Sequence, residues 1–566
     1  MMKYSLEEAI AAVTAPGQSH ELYDGEVWGR PCKVFRNTPT SLRELFESAR
    51  SDETFYVYKD ERYTYEETYQ LSCRIARILT ERYRIEIGDR VALSMRNFPE
   101  WVIIFNAITS IGGIAVAMNA LWQSEEMEFG LKDCGARLLF ADQERVDRMV
   151  PFWQDIDIDV ITVRSTNLPE GMCTLDELLE AQPPCTMPDQ SPGPDDRATL
   201  MYTSGSTGHP KGAVSSHRNI LTALFSWELQ GRIGAYRQHG DNPPSPEKRL
   251  HQPATLLAAP LFHATGCNAV LLQSYRSQRK VVSMYRWDAN EAARLIEAEH
   301  IGSLNGPATM TGDLVTAAKS SGRDLSSLNN VGGGGAARAP EQVRSIASSF
   351  GRAMPNTGWG MTETNAIGTG IGGQEYLDHP TTSGRCVAAI TLRVADEDGN
   401  ALPNGERGEL QIRGASVIEG YWQRPEATLE AFDGDWLRSG DIAYVDEDGL
   451  VYIVDRIKDL VIRGGENIAC AEVEAALLEH PDIIEATVYA VPDERYGEEV
   501  GTTIFSERDI NHDALRTFLE DHIARFKIPR YIDVTTQPLP RLASGKTNKR
   551  ELRSAAPQRF LSSETG

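Results

Sequence analysis

Short runs of β-branched and other apolar residues alternate with amphipathic helical stretches through most of the chain. This pattern predicts α/β architecture with largely parallel, buried strands. RVALSMRN, ARLLFAD, ATLMYTSG, ATLLAAPLF and KVVSMYRW are the clearest such runs. From Arg385 to Glu419 the texture changes to short alternating segments set between the turn signals DEDGN, LPNGERG and RGAS, which predicts a small antiparallel β unit. Beyond Asp455 the series DLVIRGG, EVEAALLEH, ATVYAVPD and ALRTFLEDHIARF predicts a βαβ-like C-terminal domain of about one hundred residues. The polar, proline-rich stretch from Gly231 to Pro253 predicts a mobile surface loop. Trp101 to Ser124 holds no charged residue and is long enough to suggest a membrane span. Asn106, Thr109, Ser110, Asn119 and Gln123 interrupt it and Gly112-Gly113 divides it, so it reads as a buried helix followed by a short buried strand, IAVAMN.

Length sets the scale: 566 residues are several times the usual ~100–150 of one domain, which excludes a single small binding module. Lys plus Arg number 57 against 81 Asp plus Glu, a net charge of −24. That excludes a sequence-wide attraction to nucleic acid or an anionic membrane and leaves only local basic pockets open. Eight scattered cysteines form no CxxC pair and no Cys/His cluster, which suits a reducing compartment. Glu7 and Glu8 break the apolar stretch a secretory leader needs, so a mature cytoplasmic protein is expected.

The densest chemistry lies in Tyr202-Thr-Ser-Gly-Ser-Thr-Gly-His-Pro-Lys-Gly212, directly after the apolar run ATLM. Gly205, Gly208 and Gly212 let successive backbone amides point inward, Thr203, Ser204, Ser206 and Thr207 add hydroxyl donors, and Lys211 adds positive charge, so the loop can hold a polyphosphate. It is not a Walker loop, because GxxxxGK[ST] is absent. His209 reads as an exposed residue without a catalytic task. Gly368, Gly370 and Gly373 fit GxGxxG, but they do not follow a first βα turn, which argues against a Rossmann site.

This segment resembles the phosphate loop of the adenylate-forming superfamily of acyl- and aryl-CoA synthetases, adenylation domains and luciferases. Further segments match in the family's order from about Arg62 to Arg553: Asn97-Phe-Pro-Glu100, Pro260-Leu-Phe-His263, Gly332 to Ala337, Gly358-Trp-Gly-Met-Thr-Glu363, Gly408 to Gly414, Trp436-Leu-Arg-Ser-Gly-Asp441, Asp455-Arg-Ile-Lys-Asp459, Gly464-Gly-Glu-Asn467 and Ser544-Gly-Lys546. The resemblance implies a large N-terminal domain, residues 1–456, of two stacked αβ subdomains plus a small β-barrel-like subdomain. A small mobile α+β domain, 457–566, follows it. It further implies an AMP-forming acid–thiol ligase of the medium- or long-chain fatty-acid type, using ATP, Mg2+ and coenzyme A, with a homodimer left open as the assembly.

The family's roles carry over residue by residue. Adenylation needs a carboxylate beside Mg2+ and a hydroxyl beside the α-phosphate, and the match gives Glu363 and Thr362 these tasks. Trp359 stands where an aromatic face packs on adenine, with Gly335, Ala336 and Ala337 as the opposite wall; a core tryptophan is the alternative. Asp441 would accept from the ribose hydroxyls, as an acceptor-only group suits a diol, and Arg456 would reach ribose or phosphate; a plain salt bridge between the two is the alternative. Lys546 would offset the repulsion between the acyl carboxylate and the α-phosphate. His263 would gate the acyl pocket, and it argues against an amino-acid substrate, for which the family places Asp there. Cys267, Gly306, Gly333, Gly358, Gly360, Gly368, Asn365 and Ala366 would line that pocket, their small size leaving room for a fatty, arylalkyl or alicyclic acid; service in backbone turns is the alternative for the glycines. Lys458 would be the hinge, and Gly464 and Gly465 would line the pantetheine tunnel. Two rivals stand beside this reading: acyl transfer to a carrier protein or another acceptor, including luciferase-type oxidation, and a non-catalytic nucleotide-binding relative.

Overall fold

The structure, a computed structural model, describes residues 2–203, 210–242, 250–334, 338, 340–464, 466–542 and 546–560. Its first sheet has eight strands in the order Gly420–Tyr421, Lys211–Ser216, Arg197–Thr203, Ile114–Ala117, Arg90–Ser94, Leu138–Asp142, Asp159–Val163 and Cys173–Thr174. From Arg197–Thr203 onward the pairing is parallel. The second sheet has a parallel half, ordered Thr54–Tyr58, Lys280–Ser283, Ala254–Leu257, Ser303–Asn305, Asn330–Gly334 and Met354–Gly358. It continues into an antiparallel half through Thr369–Gly372, Gly384–Cys386, Leu450–Arg456, Trp436–Val445, Gly408–Gly414 and Ile390–Ala395. Each apolar run singled out in the sequence supplies one of these strands.

The charge-free stretch becomes the helix Pro99–Ser110 and the strand Ile114–Ala117. Every residue of that helix except Glu100 is buried, because it lies between the two sheets. One core joins Leu93 and Ala115 of the first sheet to Leu257 and Val281 of the second through Trp101, Ile104 and Phe105, and Trp101 stacks on Phe105 at 5.0 Å. A helix this short rises only about 18 Å, against the ~30 Å of a bilayer core. No described helix is long and apolar enough to cross a membrane.

Two expectations need correction. The stretch expected to begin a loop at Gly231 is helical to His239, as part of His217–His239. Leu229, Ile233 and Tyr236 keep the helical period and pack against Ala9 and Val13 of the helix Leu6–Val13, and that burial outweighs the local polarity. Residues 243–249 of the stretch lie outside the described residues. The C-terminal domain is also not a simple βαβ unit. Gly497–Phe505, unnoticed in the sequence, lies between Val461–Arg463 and Glu485–Asp493 and pairs antiparallel with both. Its core is its own, built from Val461, Val473, Leu477, Val488, Val500, Leu515 and Leu519.

Candidate active site

The C-terminal ends of the second sheet's parallel strands, its antiparallel half and the C-terminal domain together wall a cleft of about 3130 Å3. Trp359 follows the strand Met354–Gly358, and Thr362 and Glu363 open the 3-10 turn Thr362–Thr364. Asp441 and Arg456 face each other in register across the strands Trp436–Val445 and Leu450–Arg456. His263 ends the turn after Ala254–Leu257, two residues before the π-helix Thr265–Leu272, a rare helix type that is frequent at functional sites. Lys546 reaches the cleft from the C-terminal domain.

The polar contacts tie these groups together. Tyr421 Oη donates to Glu363 Oε1 at 2.7 Å, Trp359 Nε1 donates to Asp441 Oδ2 at 2.7 Å, and Arg456 Nε lies 3.3 Å from Asp441 Oδ1. The salt bridge held open for Asp441 and Arg456 is therefore present, at the cleft wall. Burial raises the carboxyl pKa of both Glu363 and Asp441, with Tyr421 opposing at Glu363 and Arg456, Trp359 and Lys546 opposing at Asp441. Burial and the neighbouring Arg456 bring the Lys546 ammonium down to about 8, Asp441 opposing. His263 falls to about 4 through burial and Lys546, and its Nε2 is buried without a hydrogen-bond partner, so it faces the cleft as a neutral imidazole.

Of the phosphate-loop residues, Tyr202, Thr203, Pro210, Lys211 and Gly212 are described, and the donor and the cation among them are Thr203 and Lys211. They pair across the strands Arg197–Thr203 and Lys211–Ser216, and Thr203 Oγ1 donates to the Lys211 carbonyl at 3.3 Å. The Lys211 ammonium lies 5.3 Å from the centre of the Tyr421 ring, whose hydroxyl holds Glu363. Tyr421 thus links the two groups, and nothing in the sequence marked it: the link comes from the pairing of Ala213 with Tyr421. Ser204, Gly205, Ser206, Thr207, Gly208 and His209 lie outside the described residues, as do Gly335, Ala336, Ala337 and Gly465. A magnesium ion fits the donor set. Among the described residues no cluster of three His, Cys, Asp or Glu could cage a metal, and Mg2+ is commonly held by one or two carboxylates plus substrate phosphates, which the cleft carboxylate Glu363 allows.

The small residues assigned to the acyl pocket are corrected. Cys267 is fully buried in the main core and Asn365 is buried with its amide donating to the Ser416 carbonyl and its Oδ1 accepting from Asn268; neither borders the cleft, nor does Gly306. Gly333, Gly358 and Gly360 border it only through backbone. A Cβ on Gly333 would stand 1.9 Å from the Gly306 oxygen, on Gly358 2.6 Å from the Thr369 oxygen, and on Gly360 2.5 Å from the Ala366 carbonyl carbon. Their missing side chains make room for neighbouring backbone, not for a substrate. Gly368 lies under the Trp359 ring, where a Cβ would meet Cε3 at 2.6 Å. Ala366, alone of the non-glycine small residues assigned, does border the cleft, as do Trp227, Ala264, Ala269 and Val387, and Trp227 comes from the helix whose second half read as a loop. Lys458 borders the cleft, whereas Gly464, at φ +59°, turns away toward the Tyr496 ring.

The chain matches the family model for the AMP-binding enzyme over residues 45–422 and that for the AMP-binding enzyme C-terminal domain over 472–546. It is 32% identical over 86% of its length to feruloyl-CoA synthase of an Amycolatopsis species, covering 92% of that protein. It is 30% identical to the long-chain-fatty-acid–CoA ligase FadD13 of Mycobacterium tuberculosis, over 87% of this chain and 93% of that one. Among solved structures, o-succinylbenzoate CoA synthetase from Bacillus subtilis, in complex with ATP and a magnesium ion, superposes with a TM-score of 0.76 at 26% identity, covering 91% of this chain and 99% of that one. The chain belongs to the AMP-binding enzyme family, as an acyl-CoA synthetase of the adenylate-forming superfamily: an AMP-forming acid–thiol ligase.

Proposed function

We propose that the enzyme joins a medium- or long-chain fatty acid, or a bulky arylalkyl or alicyclic acid, to coenzyme A. The carrying observation is the meeting of Lys546 with Asp441, Arg456 and His263 in one cleft. In the first step a carboxylate oxygen attacks the α-phosphorus of ATP, the bond to the pyrophosphate oxygen breaks, and acyl-AMP forms. Lys546 neutralises charge as the two anions approach, and Thr362 donates to the α-phosphate. Asp441 and Arg456 hold the ribose, Trp359 the adenine, and Lys211 the outer phosphates. Glu363 would hold Mg2+, which when bound neutralises charge on the phosphates. In the second step the thiol sulfur of coenzyme A attacks the acyl carbon, AMP leaves, and the thiol proton passes to solvent.

The domain boundary at residues 456 and 457, the hinge at Lys458 and the tunnel at Gly464 and Gly465 belong to the same reading: the C-terminal domain withdraws Lys546 and brings the glycines in. The substrate class is supported by the apolar residues that border the cleft, among them Trp227, Ala264, Ala269, Ala366 and Val387. The relatives' named acids, ferulate, long-chain fatty acid and 2-succinylbenzoate, are all larger than acetate. A panel of acetate, octanoate, palmitate and a phenylalkanoate, assayed with ATP and coenzyme A, tests it. Highest catalytic efficiency on acetate would defeat the substrate class and leave the ligase chemistry standing.

A further inference from the structure

Two different partners hold the two oxygens of Asp441. The indole N–H of Trp359 takes Oδ2 at 2.7 Å and Arg456 stands 3.3 Å from Oδ1. Trp359 is itself fixed: its backbone N–H donates to Thr369 Oγ1 at 3.0 Å, and its ring lies against Gly368, where no side chain would fit. A flat platform for a purine can be any aromatic residue. Of phenylalanine, tyrosine and tryptophan, only tryptophan carries an N–H on the edge of its ring system, since phenylalanine has no donor and tyrosine's lies at its tip.

We propose that Trp359 is a positioning residue for nucleotide recognition, its indole N–H holding the Asp441 carboxylate in the orientation that receives the ribose hydroxyls. The inference rests on the assignment of Asp441 to the ribose made above. Without the indole, Asp441 keeps Arg456, whose side chain is 64% exposed, and the field of Lys546, and the carboxylate could follow the guanidinium toward solvent. A second donor, rigid and anchored at both ends, removes that freedom before the nucleotide arrives, and preorganisation of this kind acts on affinity. The two carboxylate oxygens offer about four acceptor sites, so the indole, Arg456 and a diol can be served together.

Trp359→Phe in the full chain keeps a ring and removes the donor. With the unfolding temperature retained, KM for ATP should rise roughly tenfold, the scale of one hydrogen bond to a charged group, while kcat at saturating ATP stays within about twofold. The preference for ATP over 2′-deoxy-ATP and 3′-deoxy-ATP should shrink, because an unheld carboxylate no longer distinguishes the diol. Trp359→Tyr, which also lacks a donor at that point, should behave alike. Equal loss of efficiency with ATP and both deoxy analogues, as a purely stacking ring would give, overturns the proposal, and so does an unchanged KM. Asp441→Asn tests the underlying assignment separately: if it keeps the full preference for ATP over the deoxy analogues, the ribose assignment fails and the proposal with it.

Discussion

Lys546 is a buried cation whose nearest charged neighbours pull in opposite directions. Burial and Arg456 bring its pKa to about 8 with Asp441 opposing, so the ammonium is present below that pH and lost above it. Pyrophosphate release should therefore decline as pH rises through about 8, while thioester formation from supplied acyl-AMP should not follow that limb. Lys546→Ala should abolish the first half-reaction and leave the second largely intact; equal loss of both would sink the role. The glycines carry a different expectation from the one their size suggested. Gly360→Ala puts a Cβ 2.5 Å from the Ala366 carbonyl carbon, an overpacking worth about 1–3 kcal/mol of stability. Thermal unfolding should show that loss with no change in preferred acid length. A stable variant preferring shorter acids would restore the pocket reading.

At the scale of elements, the helix His217–His239 shows how much was legible and where legibility stopped. Its start is fixed locally, because Ser216 and Asn219 form a capping box there. Its second half was not legible, because the apolar positions Ile233 and Tyr236 are sparse and their partners, Ala9 and Val13, lie more than two hundred residues away. The missed strand Gly497–Phe505 failed for a related reason: it is a central strand, buried on both faces, so alternation is absent. Within the site, Lys211, Trp359, Glu363, Asp441, Arg456, His263 and Lys546 border one cleft. Cys267 and Asn365 do not, since a small residue in a motif does not reveal whether its missing volume faces a cavity or a neighbouring chain. The same helix predicts an acid response. His217 is fully buried, its Nδ1 accepts from Leu42 N–H at 3.1 Å and its Nε2 has no partner. Burial takes its pKa from 6.5 to about 3, so the unfolded chain binds the proton first and stability is lost as pH falls below 6.5, by up to about 1.4 kcal/mol per pH unit. Denaturant titrations between pH 4 and pH 7 should show His217→Gln with a shallower decline. The decline should not vanish, because His263 titrates in the same window. An unchanged slope would remove His217 from the account.

For the whole molecule, the proposed mechanism has the two half-reactions place opposite demands on one small domain. Lys458→Pro fixes φ near −65° at the proposed hinge and should spare pyrophosphate release while acyl-CoA formation falls; full thioesterification by the variant would place the hinge elsewhere. The strand Leu450–Arg456 leads directly into this junction, and its last two residues look in different directions. Arg456 pairs with Asp441 at the cleft. Asp455 accepts from Ala471 N–H at 3.3 Å, in the first turn of the C-terminal domain's helix Cys470–Leu478, and lies in the field of Lys549, which itself meets Glu474 at 3.0 Å. A pull on the guanidinium is therefore one peptide unit away from the clasp that seats the C-terminal domain. If the strand end rocks, the backbone just beyond it should report what occupies the cleft. A protease that cuts after basic residues should nick the chain at Lys458 at different rates with ATP, with AMP and with neither, so that a gel band becomes a gauge of nucleotide state; identical rates in all three would show the rocker to be rigid.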